Sequence, residues 1–311
     1  ISNGDYHKKC IVRSNGVVEN FALGVDKATF IPLEGKDFMD PQYLSEEVDH
    51  AWFEYPDGTK TLHPIDGVTD PKFTGPKSGT KENWEYLDED NKYSWIKSPT
   101  FKGKTAEVGP LAKYIVVYTK VKQGIIKEPT WAEAMIVRQI DTVSQVLGVP
   151  AHVWMTTMVG RTACRGLDAQ VASNISQYYF DKLVENIKNG DTTVADMTKF
   201  EPKTWDKDAK GVGLVDAPRG GLGHWIHIKD GRSANYQCIV PSTWNACPRI
   251  APNEHGAYED AMIDTKVKIA DKPLEILKVI HSFDPCLACA THLYNKKGEK
   301  IVSVNTDALC K

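Results

Sequence analysis

The sequence predicts an α+β fold, with long helices bundled at the centre and short strands and long loops around them. Three observations carry that expectation. Residues 1–110 are rich in Gly, Pro, Asp and aromatic residues and contain only short apolar runs, which is the pattern of short strands between turns. Two long stretches then place apolar residues at three- and four-residue steps, so that they share one helical face. Beyond these, an alternating segment has Asp230-Gly231 at its middle, a dipeptide suited to a hairpin because both positions tolerate positive φ.

Taken in order, the first segment includes "CIVRSNGVVENFALGV" (10–25), broken by glycine and asparagine before any helix could extend. "PTWAEAMIVRQIDTVSQVLG" (129–148) has helical spacing through Ala132, Met135, Ile136, Ile140, Val143 and Val146, and stops at a glycine. A second helix is predicted from about 152 to 188, with Val171, Ile175, Tyr178, Tyr179, Leu183 and Ile187 as its core face and Asn189-Gly190 as its end. Two long helices in succession imply a bundle. Residues 191–222 read as a loop, glycine-rich at its end. The hairpin follows, and then an amphipathic helix over 271–283, signalled at its start by Asp271 and Pro273. That helix is expected to carry Cys286 and Cys289, just past its end, into the interior.

Bulk properties exclude several classes. A formal charge of −3 gives no basic footprint for nucleic acid. The apolar runs fall short of the ~20 residues that a membrane helix needs, so a soluble or peripheral protein is expected. No basic segment followed by an apolar one stands at the start, so no export signal is visible. The chain begins at Ile1 in a stretch that reads as the middle of a longer polypeptide, or as one whose preceding residues sit on another chain. Seven cysteines, at 10, 164, 238, 247, 286, 289 and 310, are too few and too scattered for a disulfide-stapled scaffold. Most are expected to be reduced and buried.

Only Cys286 and Cys289 are closely paired, in "SFDPCLACATH" (282–292). Two thiols at this spacing can face one ion, and thiolates suit soft or borderline metals. A redox pair of thioredoxin type would follow a strand and open a helix, whereas this pair follows a helix and sits behind a proline. A structural zinc site would need further donors, and only His281 and His292 are near. Spacing alone leaves metal binding, redox chemistry and buried bystanders all open.

The wider context points further. Asp284-Pro285-Cys286-x-x-Cys289-x-x-His292 resembles the C-terminal signature of the large subunit of [NiFe] hydrogenases. "LHPIDGVT" (62–69), "KYSWIKSPTFKGKTAEVGPLA" (92–112), "APRGGLGHW" (217–225) and "NYQCIVPSTWNACPR" (235–249) resemble further blocks of its respiratory, uptake-type branch, in the family's order, so the likeness runs from about residue 45 onward. The resemblance implies the large-subunit hydrogenase fold and an enzyme that cleaves H2 reversibly into protons and electrons at a Ni–Fe(CN)2(CO) centre. By the same resemblance Cys286 is a terminal nickel ligand and Cys289 a nickel–iron bridge. His292 and the backbone carbonyl of Cys238 bind a Mg2+ ion. Arg219 stands over the open metal position as a fixed cation, with Asp284 and Pro218 beside it, and Ser242 donates to a cyanide. Cys286, a metal-bound thiolate with an exposed lone pair, is the more natural proton acceptor, since Arg219 keeps its proton.

The chain carries no cofactor fingerprint or cluster motif able to carry electrons away. The resemblance therefore implies an iron–sulfur small subunit and, through it, a cytochrome b membrane anchor. It also implies nickel-insertion proteins and a maturation endopeptidase, and a place on the periplasmic side of the cytoplasmic membrane, reached by export with the small subunit. Two features depart from the family. Its first R-x-C-G-x-C block and N-terminal glutamate are absent, and neither Cys10 nor Cys164 has the spacing to replace the pair. Residues 293–311 resemble the tail removed after the histidine during maturation. The expected organisation is thus a loop- and strand-rich segment (1–110), a helical core carrying the C-terminal ligands (111–292) and a propeptide-like tail (293–311), in an incomplete or precursor form. The competing reading is a non-catalytic, hydrogenase-like scaffold that uses the single C-x-x-C and His292 for one zinc ion.

Overall fold

The protein is seen as a computed structural model that describes residues 11–12, 39–74, 90–198, 200–286, 291–294 and 300–304. Among the described residues of the first third, the regular elements are mostly short strands. β1 (Ile11–Val12), β2 (Leu44–Glu47), β3 (Phe53–Glu54), β4 (Thr61–Leu62), β5 (Asp70–Pro71), β6 (Ser98–Phe101) and β7 (Ala106–Glu107) form three small antiparallel sheets. In one of them β2 lies between β4 and β6. Leu44 and Phe101 from this sheet join Ile65, Val108, Trp225 and Trp244 in one apolar core.

The second core is the helical bundle. α1 (Pro110–Lys122) opens with a proline at its first position, where the missing N–H costs nothing. It is buried on nearly every side, through Leu111, Tyr114, Ile115 and Val116. α2 (Trp131–Leu147) has a capping box between Thr130 and Glu133 and ends on Gly148 in the left-handed conformation. The predicted helix over 152–188 is present but broken once, into α3 (Ala151–Met155) and α4 (Met158–Lys188). Ile136, Ile140, Met155, Cys164 and Val171 fill the space between these helices and α1.

The outer half of α4 corrects the expectation of a continuous core face. Val171 is buried and Ile175 partly so, but Tyr178, Tyr179, Leu183 and Ile187 are exposed, Tyr179 to 65%. Val146 at the end of α2 is exposed as well. The helical period is present in the sequence, but the stretch is covered only in part: Trp131 at the start of α2 has its ring centre 6.0 Å from that of Tyr178, and Tyr179, Leu183 and Ile187 stay exposed.

A second correction concerns residues 191–222. The irregular stretch ends by residue 207, and β8 (Asp208–Ala217) forms a three-stranded antiparallel sheet with β9 (Gly220–Lys229) and β10 (Arg232–Ile239). The β9–β10 hairpin turns as predicted, with Asp230 at φ 49° and Gly231 at φ 72°. α5 (Pro241–Asn245), α6 (Ala257–Met262) and α7 (Leu274–Ser282) follow. β11 (Thr291–Tyr294) pairs with β12 (Lys300–Val304), with His292 opposite Ser303. No helix among the described residues is long and apolar enough to cross a membrane.

Candidate metal centre

The end of α7 fixes the residues before the thiol pair. The N–H groups of Phe283 and Asp284 donate to the carbonyls of Ile280 and His281, each at 3.1 Å. Asp284 then takes φ 57°, a left-handed stop that a short polar residue tolerates better than most. Pro285 follows and forbids further helix, having no N–H to give. The Asp-Pro pair therefore turns the chain sharply and presents Cys286.

Arg219 arrives from the tight connection between β8 and β9. Gly220, at φ 128°, brings that turn onto the start of α1, where a Cβ would lie 2.6 Å from the Gly109 nitrogen and 2.8 Å from the Val108 carbonyl carbon. Gly109, at φ 133°, faces the Arg219 carbonyl in the same contact. Asn245 of α5 locks the strand end by accepting from the Val108 N–H at 2.9 Å and donating to its carbonyl at 2.8 Å. "EVGP" and "PRGG" are thus two backbones pressed together, and only glycine fits on each side.

These elements bring Arg219 and Asp284 together. Arg219 Nε lies 3.8 Å from Asp284 Oδ1, and Arg165 Nη2, from α4, lies 3.4 Å from the same oxygen. Arg165 Nη1 also donates to the His281 carbonyl at 3.3 Å. Beneath them is a buried ion pair: Arg161 Nε and Nη2 donate to the two Glu107 oxygens at 2.8 and 2.9 Å. The Arg161 guanidinium stacks 4.2 Å from the centre of the Phe283 ring, a cation–π contact one residue before Asp284.

Tyr258 of α6 packs on Phe283, with ring centres 4.9 Å apart. Its hydroxyl is buried and has no hydrogen-bond partner among the described residues. Burial first, then the negative charges of Asp284, Glu107 and Cys286, push that hydroxyl well above the usual phenol range, while Arg219 opposes them. Arg165, Arg161 and Tyr258 lie in none of the family-like blocks, and Glu107 lies in one (92–112) without any role that the block itself suggests. The contacts just described join residues 25 to 122 positions apart, which only the folded chain reveals.

The other sequence-predicted residues are placed as follows. Cys286 is exposed, which corrects the expectation that α7 delivers it to the interior. It follows the turn at Asp284 and Pro285, and no described element covers it. Pro218 and Arg219 are exposed, and Ser242 on α5 is half-buried. Cys238 is exposed on β10, opposite His224. Among the described residues, no hydrogen bond or ion pair joins Ser242 or Cys238 to the Arg219–Asp284 pair. Cys10, Cys289 and Cys310 lie outside the described residues, and His292 is described by its backbone alone.

Of the described thiols, Cys164 and Cys247 are buried as expected. Burial, reinforced by the Glu107 charge, pushes the Cys164 thiol up to about 12, and burial pushes that of Cys247 higher still. Neither is a ready thiolate donor. No group of three or more His, Cys, Asp or Glu residues able to hold a metal ion occurs among the described residues.

As one side of a metal centre the arrangement fits. It presents an open thiol, two guanidiniums aimed at the adjoining carboxylate, and a buried hydroxyl with no acceptor of its own. Cations and a spare donor beside a thiolate suit a centre that carries anionic ligands. The donor set is at most half of a four-thiolate site.

Comparison with known proteins supplies the rest. The nickel-dependent hydrogenase family matches residues 3–292, so the likeness begins well before residue 45, where the recognisable blocks start, and the family match itself ends at His292. The Hydrogenase-1 large chain of Escherichia coli (strain K12) is 42% identical over 301 residues, covering 96% of this chain and 47% of that relative. The uptake hydrogenase large subunit of Rhizobium leguminosarum bv. viciae is 46% identical over 302 residues, covering 96% and 48%. The chain therefore spans about half the length of the curated relatives it matches. Among solved structures, the H2-activated [NiFeSe]-hydrogenase of Dm. baculatum superposes with a TM-score of 0.58 at 24% identity, over 80% of this chain and 44% of that one.

Proposed function

This chain belongs to the nickel-dependent hydrogenase family, and from that premise we propose that it forms the C-terminal part of the large subunit of an uptake hydrogenase, which splits H2 reversibly into protons and electrons. The observation that supports this most directly is the convergence of Arg219, Asp284 and the Cys286 turn from separate parts of the sequence. Arg219 belongs to one family-like block and Asp284 and Cys286 to another, and a zinc scaffold has no use for the arginine.

On this reading Cys286 and Cys289 hold one side of a nickel–iron centre, and a second thiolate pair comes from outside the residues of this chain. When bound, that centre supplies the electron-accepting site at which H2 is polarised. The chain's own residues do the rest. Arg219 is a fixed cation held beside Asp284, able to stabilise negative charge and to donate to an anionic ligand without losing its proton. Cys286 Sγ holds the departing proton. Pro218 and Asp284 close the space around Arg219, Ser242 donates to a second anionic ligand, and His292 with the Cys238 carbonyl holds a Mg2+ ion.

The electrons pass to an iron–sulfur small subunit and from there to a cytochrome b anchor, on the periplasmic side of the membrane. Nickel-insertion proteins and an endopeptidase complete the centre. The end of the family match at His292 supports reading residues 293–311 as the tail which that protease removes.

The test is elemental analysis and infrared spectroscopy of the chain purified with its co-expressed partners. Nickel and iron in equal amounts, with cyanide and carbonyl stretching bands, are expected. Zinc alone, or no metal and no bands, would replace the enzyme with a scaffold.

A further inference from the structure

Arg165 has no place in the motifs above, yet it makes the shorter of the two guanidinium contacts to Asp284. One nitrogen, Nη1, reaches the His281 carbonyl at 3.3 Å, and the other, Nη2, reaches Asp284 Oδ1 at 3.4 Å. The first contact lies in the last turn of α7, on a carbonyl that also accepts from the Asp284 N–H, where a cation is favoured by the helix dipole. The second falls on the residue that must hold φ 57° for the chain to turn. One planar group thus spans the stop of the helix and the strained residue beyond it.

We propose that Arg165 is a positioning residue: by clamping the end of α7 to the Asp284 carboxylate, it fixes the turn that presents Cys286 and sets the orientation of Arg219. The shared oxygen makes the second effect unavoidable. Asp284 Oδ1 lies between Arg165 and Arg219, so a carboxylate released by Arg165 rotates toward Arg219 alone. The two cations then no longer divide one acceptor, and the Arg219 guanidinium moves with it. Arg165 is itself anchored, since it stands one helical turn beyond Arg161 on α4, and Arg161 is buried and doubly bonded to Glu107. A lysine could satisfy either the carbonyl or the carboxylate but not span both, because its charge is a single point.

The inference rests on the reading that Cys286 faces the metal centre, and two measurements keep it separable from that reading. Hydrogen exchange of the full chain reports the clamp without any metal. In Arg165→Gln the amides of Phe283 and Asp284 are expected to exchange about 1.5-fold to fivefold faster, the size of effect a partly exposed charged contact carries. Amides of α1 and the first turns of α4 stay unchanged. Arg165→Lys should fall between, and Arg165→Gln should add little in an Asp284→Asn background.

In the assembled complex, the cyanide stretching bands of Arg165→Gln are expected to shift from those of the wild type, and to return part of the way in Arg165→Lys. Unchanged exchange at 283 and 284, or faster exchange with bands that do not move, would overturn the proposal. Absence of bands from the wild-type complex itself would instead count against the hydrogenase reading, and the exchange result would still decide whether the clamp exists.

Discussion

Replacing Glu107 by Gln is the perturbation whose consequence is best defined. Glu107 and Arg161 have side-chain exposures of 2% and 6%, and two nitrogens face two oxygens at 2.8 and 2.9 Å. Their net worth relative to an apolar pair is small, since both ions lost their hydration on folding. Removing one charge is different, because the other stays buried without compensation, at a cost of about 3–5 kcal/mol. For a chain of this length, roughly 2 °C of Tm is lost per kcal/mol, so Glu107→Gln should melt about 6–10 °C lower. Urea unfolding followed by circular dichroism would give the free energy directly. Glu107→Leu combined with Arg161→Met should be more stable than Glu107→Gln alone, although it still forfeits the 3.1 Å bond from Arg161 to the Thr156 carbonyl and the Phe283 stack. A loss below about 1 kcal/mol for Glu107→Gln, the range of exposed pairs, would refute the reasoning.

Three further substitutions test other parts of the fold. Gly220→Ala would set a methyl 2.6 Å from a backbone nitrogen at φ 128°, and neither can yield cheaply, so a loss of at least about 2 kcal/mol is expected by chemical denaturation. Tyr258→Phe removes a buried hydroxyl without a partner and should leave the chain by itself as stable or about 1 kcal/mol more so. A clear loss in the metal-free chain would mean that the hydroxyl has a structural acceptor. Glu47 governs a pH dependence: burial, with Asp49 adding and Lys60 opposing, raises its carboxyl to about 7 from an ordinary 4.5. The folded chain therefore keeps a proton that the unfolded one has released. Stability contributed by this group is complete below pH 4.5 and declines toward pH 7. Glu47→Gln should flatten that slope in urea titrations at stepped pH, and an unaltered slope would assign it to other groups.

What the sequence disclosed depended on how far apart the cooperating residues lie. The β9–β10 hairpin was readable because Asp230 and Gly231 carry the turn themselves, and α2 because its apolar residues recur at helical steps up to the stop at Gly148. α1 was not readable by period, since a helix buried on all sides has no polar face to alternate with, and its Ile115, Val116 and Val117 favour strand locally. β8 was hidden by Gly211 and Gly213, which dilute the alternation of Val212 and Leu214, and pairing with β9 supplies what propensity does not. Conversely, the apolar period of α4 was read correctly as a helix and wrongly as buried along its whole length, because periodicity specifies a face and not what covers it.

The candidate site follows the same logic, with one difference. Cys286, Asp284 and Arg219 stood out because each sits in a short block with fixed neighbours, and those neighbours have physical duties: Pro285 stops the helix, and Gly220 admits Val108 and Gly109. The residues that hold these blocks against one another are single charged or aromatic side chains in stretches of ordinary helix and strand. Arg161, Arg165, Glu107 and Tyr258 acquire their meaning only from partners far along the chain. A sequence read locally therefore yields the groups assigned to the metal centre and misses those that hold them in place. That is why substitutions at the residues that join the blocks, such as Glu107 and Arg165, are the most informative experiments on this protein.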